Sequence, residues 1–325
     1  MLKIGEISVT PPVMLAPMAG VTDRPFREVV ASFGAGLVVS EMVATQEMLA
    51  AKPSVQAKAE IAAGAVGTSV QIVGREPRPM AETARRLAGQ GARIIDINMG
   101  CPARKVTSGA SGSALMREPD LALSLIEAVV SAVDVPVTVK MRLGWDDGSM
   151  NAPELACRAE GAGVAMVAIH GRTRCQFYKG RADWAAIRDV VEAVQIPVVA
   201  NGDIVDVASA REALRLSGAA GVMVGRGATG KPWLLAEIAA GLAGEPLPKP
   251  PRDEALADLI ISHYEAMLDF YGTETGVRAA RKHLDGYLAP LPQGRALRNL
   301  IIREPDPAQV IRHLRAGLAA ERVAA

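Results

Sequence analysis

Eight short apolar runs recur along the first three-quarters of this chain, most of them followed by a stretch of helical periodicity, and this alternation constrains the fold more than any other feature. The runs occupy 13–17, 36–41, 67–72, 93–98, 136–141, 164–170, 197–201 and 220–225. They read as strands buried on both faces, which are apolar throughout instead of strictly alternating. Between them, Ala122, Leu125, Ile126, Val129, Val130 and Val133 repeat at helical spacing behind a capping Asp120. Trp184, Ile187, Val191 and Val194 do the same behind Asp183, and Met80, Ala84, Leu87 and Ala88 form a stripe ended by Gly89 and Gly91. Eight strand–helix units in about 245 residues predict an α/β fold, a parallel (β/α)8 TIM barrel, with a doubly wound sheet as the alternative.

The pattern breaks at 245–251, E-P-L-P-K-P-P, which cannot continue a helix and reads as a Pro-rich linker. Beyond it Leu256, Leu259, Ile260, His263, Met267 and Phe270 return to helical spacing, and no convincing strand follows. The expected organisation is a barrel domain at 1–244, the linker, and a small C-terminal helical-bundle domain at 252–325. With 36 basic against 35 acidic residues, any anionic partner has to be met by a local patch. Three widely spaced cysteines, Cys101, Cys157 and Cys175, without a C-x-x-C pair, argue against a disulfide framework and a zinc site and fit a reducing cytoplasm. No apolar stretch is long enough for a signal peptide or a membrane span.

A barrel of this kind places its chemistry at the C-terminal ends of its strands, and there the runs turn polar. Gln71 lies near the end of the third, Asn98 closes the fourth ahead of Gly100 and Cys101, and Lys140 lies in the fifth. His170 closes the sixth and Asn201-Gly202-Asp203 the seventh. A single strand-terminal Asn is usually a turn former and a lone His a satisfied core residue, but polar groups at the same edge of consecutive strands point to one shared site. After the eighth run, Gly225-Arg226-Gly227-Ala228-Thr229-Gly230 matches G-x-G-x-x-G without the strand that should follow in a dinucleotide fold. Barrels commonly hold phosphate in the loops after strands seven and eight, so Gly225, Arg226 and the 201–203 turn are read as a phosphate grip for a mononucleotide.

A flavin ring suits the remaining groups: Lys140 would stabilise negative charge near N1 and C2=O, and Gln71 and Asn98 would meet the pyrimidine edge. Ala16-Pro17-Met18-Ala19-Gly20 offers a slim apolar surface after the first strand. His170 has no second His or Cys at ligand spacing, so no metal site is expected. Cys101, in a glycine-rich loop with Arg104, Lys105, Gly109 and Gly112, is read as exposed and mobile. The ordinary pKa of a thiol, about 8.5, leaves it protonated at pH 7, as a general acid requires. Cys175 is the second candidate for that role, and Cys157 is read as structural.

Six ordered motifs carry a family resemblance: A-P-M-A-G-V-T-D at 16–23, D-I-N-M-G-C-P at 96–102, V-K-M-R at 139–142, H-G-R-T-R-C-Q-F-Y-K-G at 170–180, N-G-D at 201–203 and V-G-R-G at 224–227. Together they resemble the tRNA-dihydrouridine synthases, the bacterial B-type enzymes in particular, over the whole chain. The resemblance implies an FMN flavoprotein that uses NADPH to saturate the C5–C6 bond of particular uridines in tRNA. It implies that Pro17, Met18, Ala19, Gln71, Lys140, Asn201, Gly202, Asp203, Gly225 and Arg226 hold FMN, and that Asn98 and His170 line the flavin or the uracil. Flavin N5 would deliver hydride to C6 while Cys101 protonates C5. The part played by loop 108–112 in positioning Cys101 is left open.

A uridine inside folded tRNA has to be extruded before a flavin can stack on it, so the backbone phosphates need a grip. Between 278 and 303 stand six basic residues, Arg278, Arg281, Lys282, Arg295, Arg298 and Arg303, against Asp285 alone. Arg278, Arg281 and Lys282 share one helical face. Arg172, Arg174, Lys179 and Arg181 edge the expected mouth with Phe177 and Tyr178, where phosphate and base could be met together. Without the resemblance, a solvated face is the default reading of such charge. No protein partner is indicated and a monomer is expected. Two other functions compete: a flavin barrel acting on a free pyrimidine, which leaves the basic tail without a task, and an RNA-binding protein on a decayed barrel, against which Cys101, Lys140, His170 and the phosphate turn all speak.

Overall fold

The computed structural model describes residues 2–61 and 68–319. An antiparallel hairpin, β1 (Leu2–Ile4) and β2 (Ile7–Val9), precedes β3 (Val13–Leu15), β4 (Leu37–Val39), β5 (Val43–Ala44) and β6 (Thr68–Val73). Then come β7 (Ile94–Met99), β8 (Val137–Arg142), β9 (Met166–His170), β10 (Val198–Asn201) and β11 (Gly221–Val224). The strands from β3 onward pair in parallel in the order β4-β3-β11-β10-β9-β8-β7-β6, and β6 pairs with β4 to close the ring, while β5 flanks β6. Each expected run holds one barrel strand, and closure excludes the doubly wound alternative. Gly67, first in the third run, lies outside the described residues, as do 320–325 of the tail.

Successive strand residues point to opposite faces, which divides the barrel into two cores. Outward residues such as Ile72, Ile95, Ile97, Val137, Val139 and Ile169 pack against the surrounding helices. Inward residues at the start of the strands, among them Met14, Leu37, Ile94, Met166 and Val199, meet Leu2, Ile4 and Val9 of the hairpin. The hairpin therefore plugs the N-terminal end of the barrel. A Cβ on Gly221 would lie 2.6 Å from the Pro12 carbonyl and 3.2 Å from Leu2, so glycine at the start of β11 lets the hairpin seat. Three-residue strands leave no usable period, which is why the hairpin is absent from the sequence-based expectation.

Two expected caps shift. The helix Pro119–Val130 starts ahead of Asp120, whose carboxylate lies in the first turn and pairs with Arg158 at 2.5 Å, while Pro119 supplies the preset φ of a first helical residue. The helix expected behind Asp183 shortens to Arg188–Ala193, and Asp183 instead accepts from the Ala186 N–H at 3.0 Å in the preceding turn.

Residues 245–252 carry no regular structure. The helices Asp253–Tyr271, Thr273–Leu288, Gly294–Ile301 and Pro307–Ala319 then gather an apolar core of their own around Ile260, Tyr264, Met267, Leu284 and Leu314. The G-x-G-x-x-G segment joins this tail to the barrel. Arg226–Ala228 forms a single 3-10 turn, a Cβ on Gly227 would approach the Ile204 carbonyl to 2.8 Å, and Gly230 lies directly against Gly286 of the tail. Its last two glycines thus serve main-chain packing. Among the described residues, no helix is long and apolar enough to cross a membrane.

Candidate active site

A cavity of about 650 Å³ opens at the C-terminal ends of the strands, within the roughly 300–1,000 Å³ of small-molecule sites. Cys101 and every residue read as cofactor-binding line it: Pro17, Met18 and Ala19 after β3, Gln71, Asn98, Lys140 and His170, the turn Asn201, Gly202 and Asp203, and Gly225 and Arg226 after β11. The period of two that makes the lower barrel apolar brings these side chains inward at the top.

Strand register builds a hydrogen-bonded tier across the barrel. Gln71 stands beside Asp96, Asp96 beside Thr138, Asn98 beside Lys140, and Asn201 beside His170. The Asp96 carboxylate accepts from Thr138 Oγ1 and from Gln71 Nε2, each at 2.6 Å. That fixes the Gln71 amide, whose oxygen accepts from Asn98 Nδ2 at 2.7 Å. Asn98 Oδ1 in turn accepts from the N–H groups of Gly100 and Cys101 at 3.2 and 3.0 Å. Burial pushes Asp96 up to about 6, against the pull of Thr138, Gln71 and Lys140, so the carboxylate stays mostly ionised at pH 7. Asp96 was not singled out from sequence because its role depends on a lateral neighbour. The signal available was its inward parity with Asn98, two residues on.

Cys101 is half-buried on the cavity wall and held from both sides. Its carbonyl accepts from Ser113 N at 3.1 Å and Ser113 Oγ at 2.8 Å, and the preceding Gly100 carbonyl accepts from Arg142 Nε at 2.8 Å. Gly112 has φ +60°, and a Cβ there would lie 2.9 Å from the Cys101 carbonyl. The glycine-rich segment thus clamps the cysteine, where the sequence suggested a mobile position. Cys175 is exposed and does not line the cavity, while the Cys157 thiol, on an exposed residue, donates to the Ala193 carbonyl at 2.9 Å.

Charge is arranged around the opposite wall. Lys140 Nζ donates to Asn201 Oδ1 at 3.0 Å, and Asn201 Nδ2 donates to the Met223 carbonyl at 2.7 Å. Burial, then the Arg142 charge, pushes Lys140 down to about 8. His170 is held neutral by burial first and then by Lys140, Arg142, Arg172 and Arg226. Gly202, at φ +114°, has no room for a side chain, because a Cβ would come within 2.9 Å of the His170 ring. Asp203 accepts from Arg172 at 2.5 Å, the Ala182 N–H at 2.8 Å and Arg226 at 3.4 Å. Although burial opposes its ionisation, those partners keep its carboxyl below the usual range. Its side chain therefore orients two guanidinium groups, and Lys140, Arg142 and Arg226 are the cations that line the cavity. The set suits a flat polar heterocycle with an attached anion.

The expected RNA contacts divide. Arg172 is 1% exposed and bonds Asp203 and the carbonyls of Lys179 and Gly180, so it organises the site wall and is not a surface contact. Arg174 lies 4.6 Å from the ring centres of both Trp145 and Phe177, and Arg117 lies 4.0 Å from that of Trp145, a cation–aromatic strip of which sequence reading missed Trp145 and Arg117. Arg142, also missed, donates to the carbonyls of Thr173 and Phe177 at 2.9 and 2.8 Å and ties that loop to the Cys101 loop. Arg181 and Arg295 are exposed, Arg278 pairs with Glu274, and Arg298 pairs with Asp285. Arg281 is half-buried, and Lys282 donates to the carbonyl of Gly20, which brings the helix Thr273–Leu288 against the loop that follows β3.

Residues 14–321 match the family described as Dihydrouridine synthase (Dus). A protein of Rhodobacter capsulatus named probable tRNA-dihydrouridine synthase is 61% identical, over 100% of this chain and 99% of its own. The tRNA-dihydrouridine synthase B of Xanthomonas axonopodis pv. citri is 47% identical, over 94% of this chain and 92% of its own. Among solved structures, a morphinone reductase mutant in complex with tetrahydroNAD shares the fold with a TM-score of 0.53 at 14% identity, covering 77% of this chain and 91% of that one. Histamine dehydrogenase from Rhizobium sp. 4-9 does so with a TM-score of 0.55 at 12% identity, covering 81% and 50%. With the family matched over residues 14–321, and relatives alike over nearly their full lengths, the chain belongs to the dihydrouridine synthase family.

Proposed function

We propose that this enzyme reduces the C5–C6 bond of specific uridines in tRNA to 5,6-dihydrouridine, with bound FMN and with NADPH as reductant. The observation that carries the reading is the single cavity in which a clamped thiol, an amide ladder and a lysine converge at the ends of adjacent strands. The donor set fits FMN: Arg226 and the 201–203 turn toward its phosphate, Lys140 and Gln71 toward the ring, and Pro17, Met18, Ala19 and Gly225 as slim walls. FMN, when bound, supplies the hydride that reaches uracil C6 and is recharged by NADPH. Cys101 holds its proton at Sγ and gives it to C5, and the Asn98 and Ser113 bonds keep that thiol on the wall while the base is in place. Asn98 and neutral His170 offer hydrogen bonds to the flavin or the uracil without adding charge. Residues 1–244 act as the catalytic unit and 252–325 as a tRNA grip whose basic helix meets the loop after β3 through Lys282 and the Gly20 carbonyl. All three cysteines are free, in keeping with a reducing cytoplasm.

The test is anaerobic absorbance of the purified protein, reduced with NADPH and then mixed with unmodified tRNA transcript. Return of the oxidised flavin spectrum with tRNA, and not with orotate or free uracil, is the expected result. Reoxidation by a free pyrimidine alone would replace the tRNA reading with the small-substrate one, and a protein that cannot be loaded with FMN would end both.

A further inference from the structure

Between the tail and the first barrel helix, Asp23, His263 and His283 converge from three helical segments, all buried and each with one side-chain ligand atom within 4.8 Å of the others. Asp23 caps the helix Arg24–Ser32, accepting from Phe26 N at 3.0 Å, and its second oxygen accepts from Tyr271 Oη at 3.1 Å. It is 1% exposed and has no ion pair among the described residues. Arg27 donates to the carbonyls of Thr22 and Glu60, and Lys282 to that of Gly20. Buried carboxylates are ordinarily ion-paired or metal-bound, and this one has neither a lysine nor an arginine on it.

The histidines carry the complementary deficit. His263 Nδ1 shares a hydrogen bond with Tyr287 Oη at 3.0 Å, which leaves Nε2 buried without a partner. Neither nitrogen of His283 has a partner among the described residues. Three orphaned ring nitrogens beside an unpaired carboxylate make an arrangement that folded interiors avoid unless something binds there. The rings are held in place by packing: Phe26 lies 5.0 Å from His283 and 5.8 Å from His263, and the two imidazoles meet edge to face at 4.7 Å. Burial keeps both imidazoles neutral at pH 7, the state in which they ligate.

We propose that Asp23, His263 and His283 form a divalent transition-metal site, zinc by donor type, that fastens the helical tail to the first helix of the barrel. Two imidazoles and one carboxylate are the donors of borderline cations, with a water completing a tetrahedron. The Tyr287 bond to His263 Nδ1 is the outer contact that orients a ligating imidazole. Sequence spacing could not reveal the site, because its carboxylate comes from the first barrel turn and its imidazoles from the two long antiparallel helices of the tail.

The experiment uses untagged, flavin-loaded protein, treated with chelator and then titrated with Zn2+ by calorimetry, with metal content measured by mass spectrometry. One zinc per chain and a raised Tm are expected for the wild type. His283→Leu and His263→Leu, which fill the same buried space without a ligating nitrogen, lose that binding while retaining the flavin spectrum. Tyr287→Phe weakens it by about 10- to 100-fold. Absence of saturable Zn2+ binding to the wild type overturns the proposal, and so does undiminished stoichiometry in a folded His283→Leu, which would assign the metal to other ligands. Should both leucine variants fail to fold, an unchanged affinity in Tyr287→Phe overturns it.

Discussion

At its N-terminal end the barrel interior is an apolar plug of Met14, Leu37, Ile94, Met166 and Val199 against Leu2 and Ile4, whereas toward the C-terminal ends of the strands the inward positions hold Gln71, Asp96, Lys140 and His170. Strand β7 shows the transition alone: Ile94 belongs to the plug, Asp96 to the hydrogen-bonded tier and Asn98 to the cavity. A period of two serves both ends, and only the chemistry of every second residue changes. The polar end is tolerable because its members satisfy one another, from Thr138 through Asp96, Gln71 and Asn98 to the Cys101 backbone. Stability and chemistry are thereby stacked along one axis, so damage at one end should leave the other intact.

The strongest test of that separation is Cys101→Ala. Removal of a general acid typically costs about 10²- to 10⁴-fold, and dihydrouridine formation should fall by that factor while FMN content, NADPH oxidation and Tm stay near wild type. Near-normal activity would return the proton to solvent, and a large fall in Tm would show that the cavity wall helps hold the barrel together.

At the other end Ile4→Ala supplies the converse. Ile4 is fully buried in the plug, and truncation of such a side chain costs about 2–5 kcal/mol. Denaturant unfolding followed by circular dichroism should show that loss, with turnover unchanged at temperatures where the variant is folded. A drop in turnover without a drop in stability would mean that the plug positions the strand ends, and the two ends would no longer be separable.

The two ends were unequally legible in the sequence. The strands that build both were readable from continuous apolar runs, and the cavity residues from polar types at the ends of those runs. Asp96 was not, because its importance comes from Gln71 and Thr138 on neighbouring strands, which strand register alone supplies. Arg172 was misplaced outward because a run of basic residues gives no sign that Asp203 and two loop carbonyls will enclose one of them. The plug itself was missed, since β1 and β2 are too short to declare a period. Asp23, His263 and His283 were beyond local reading altogether, as tertiary packing alone makes them neighbours.

The cavity's charge gives a smaller, graded effect. Lys140 is pushed down to about 8, so it is a cation below that pH and loses its charge as the pH rises through it. If it holds the anionic cofactor, FMN affinity measured by fluorescence should be constant near pH 7 and fall by up to about tenfold per unit above pH 8, one proton being linked to binding. Lys140→Met should bind more weakly at pH 7 and flatten the profile. A wild-type affinity that does not change up to pH 9 would assign the charge to Arg226.

The smallest effect is expected farthest from the chemistry, on the tail helices that border the open end. Arg278 and Arg295 are exposed, and the pairing of Arg278 with Glu274 is a surface interaction of the kind worth little, so both can exchange their surroundings for phosphate. Lys282 is committed to the Gly20 carbonyl, and altering it would also disturb the loop after β3, which makes Arg278→Ala with Arg295→Ala the cleaner pair. In filter-binding titrations across salt concentrations, the slope of log affinity against log salt should fall by about 1 for each phosphate that is no longer neutralised, with flavin reduction by NADPH unaltered. An unchanged slope would move the RNA surface to the Arg117, Trp145 and Arg174 strip, where Arg174→Ala would then be the change that lowers it.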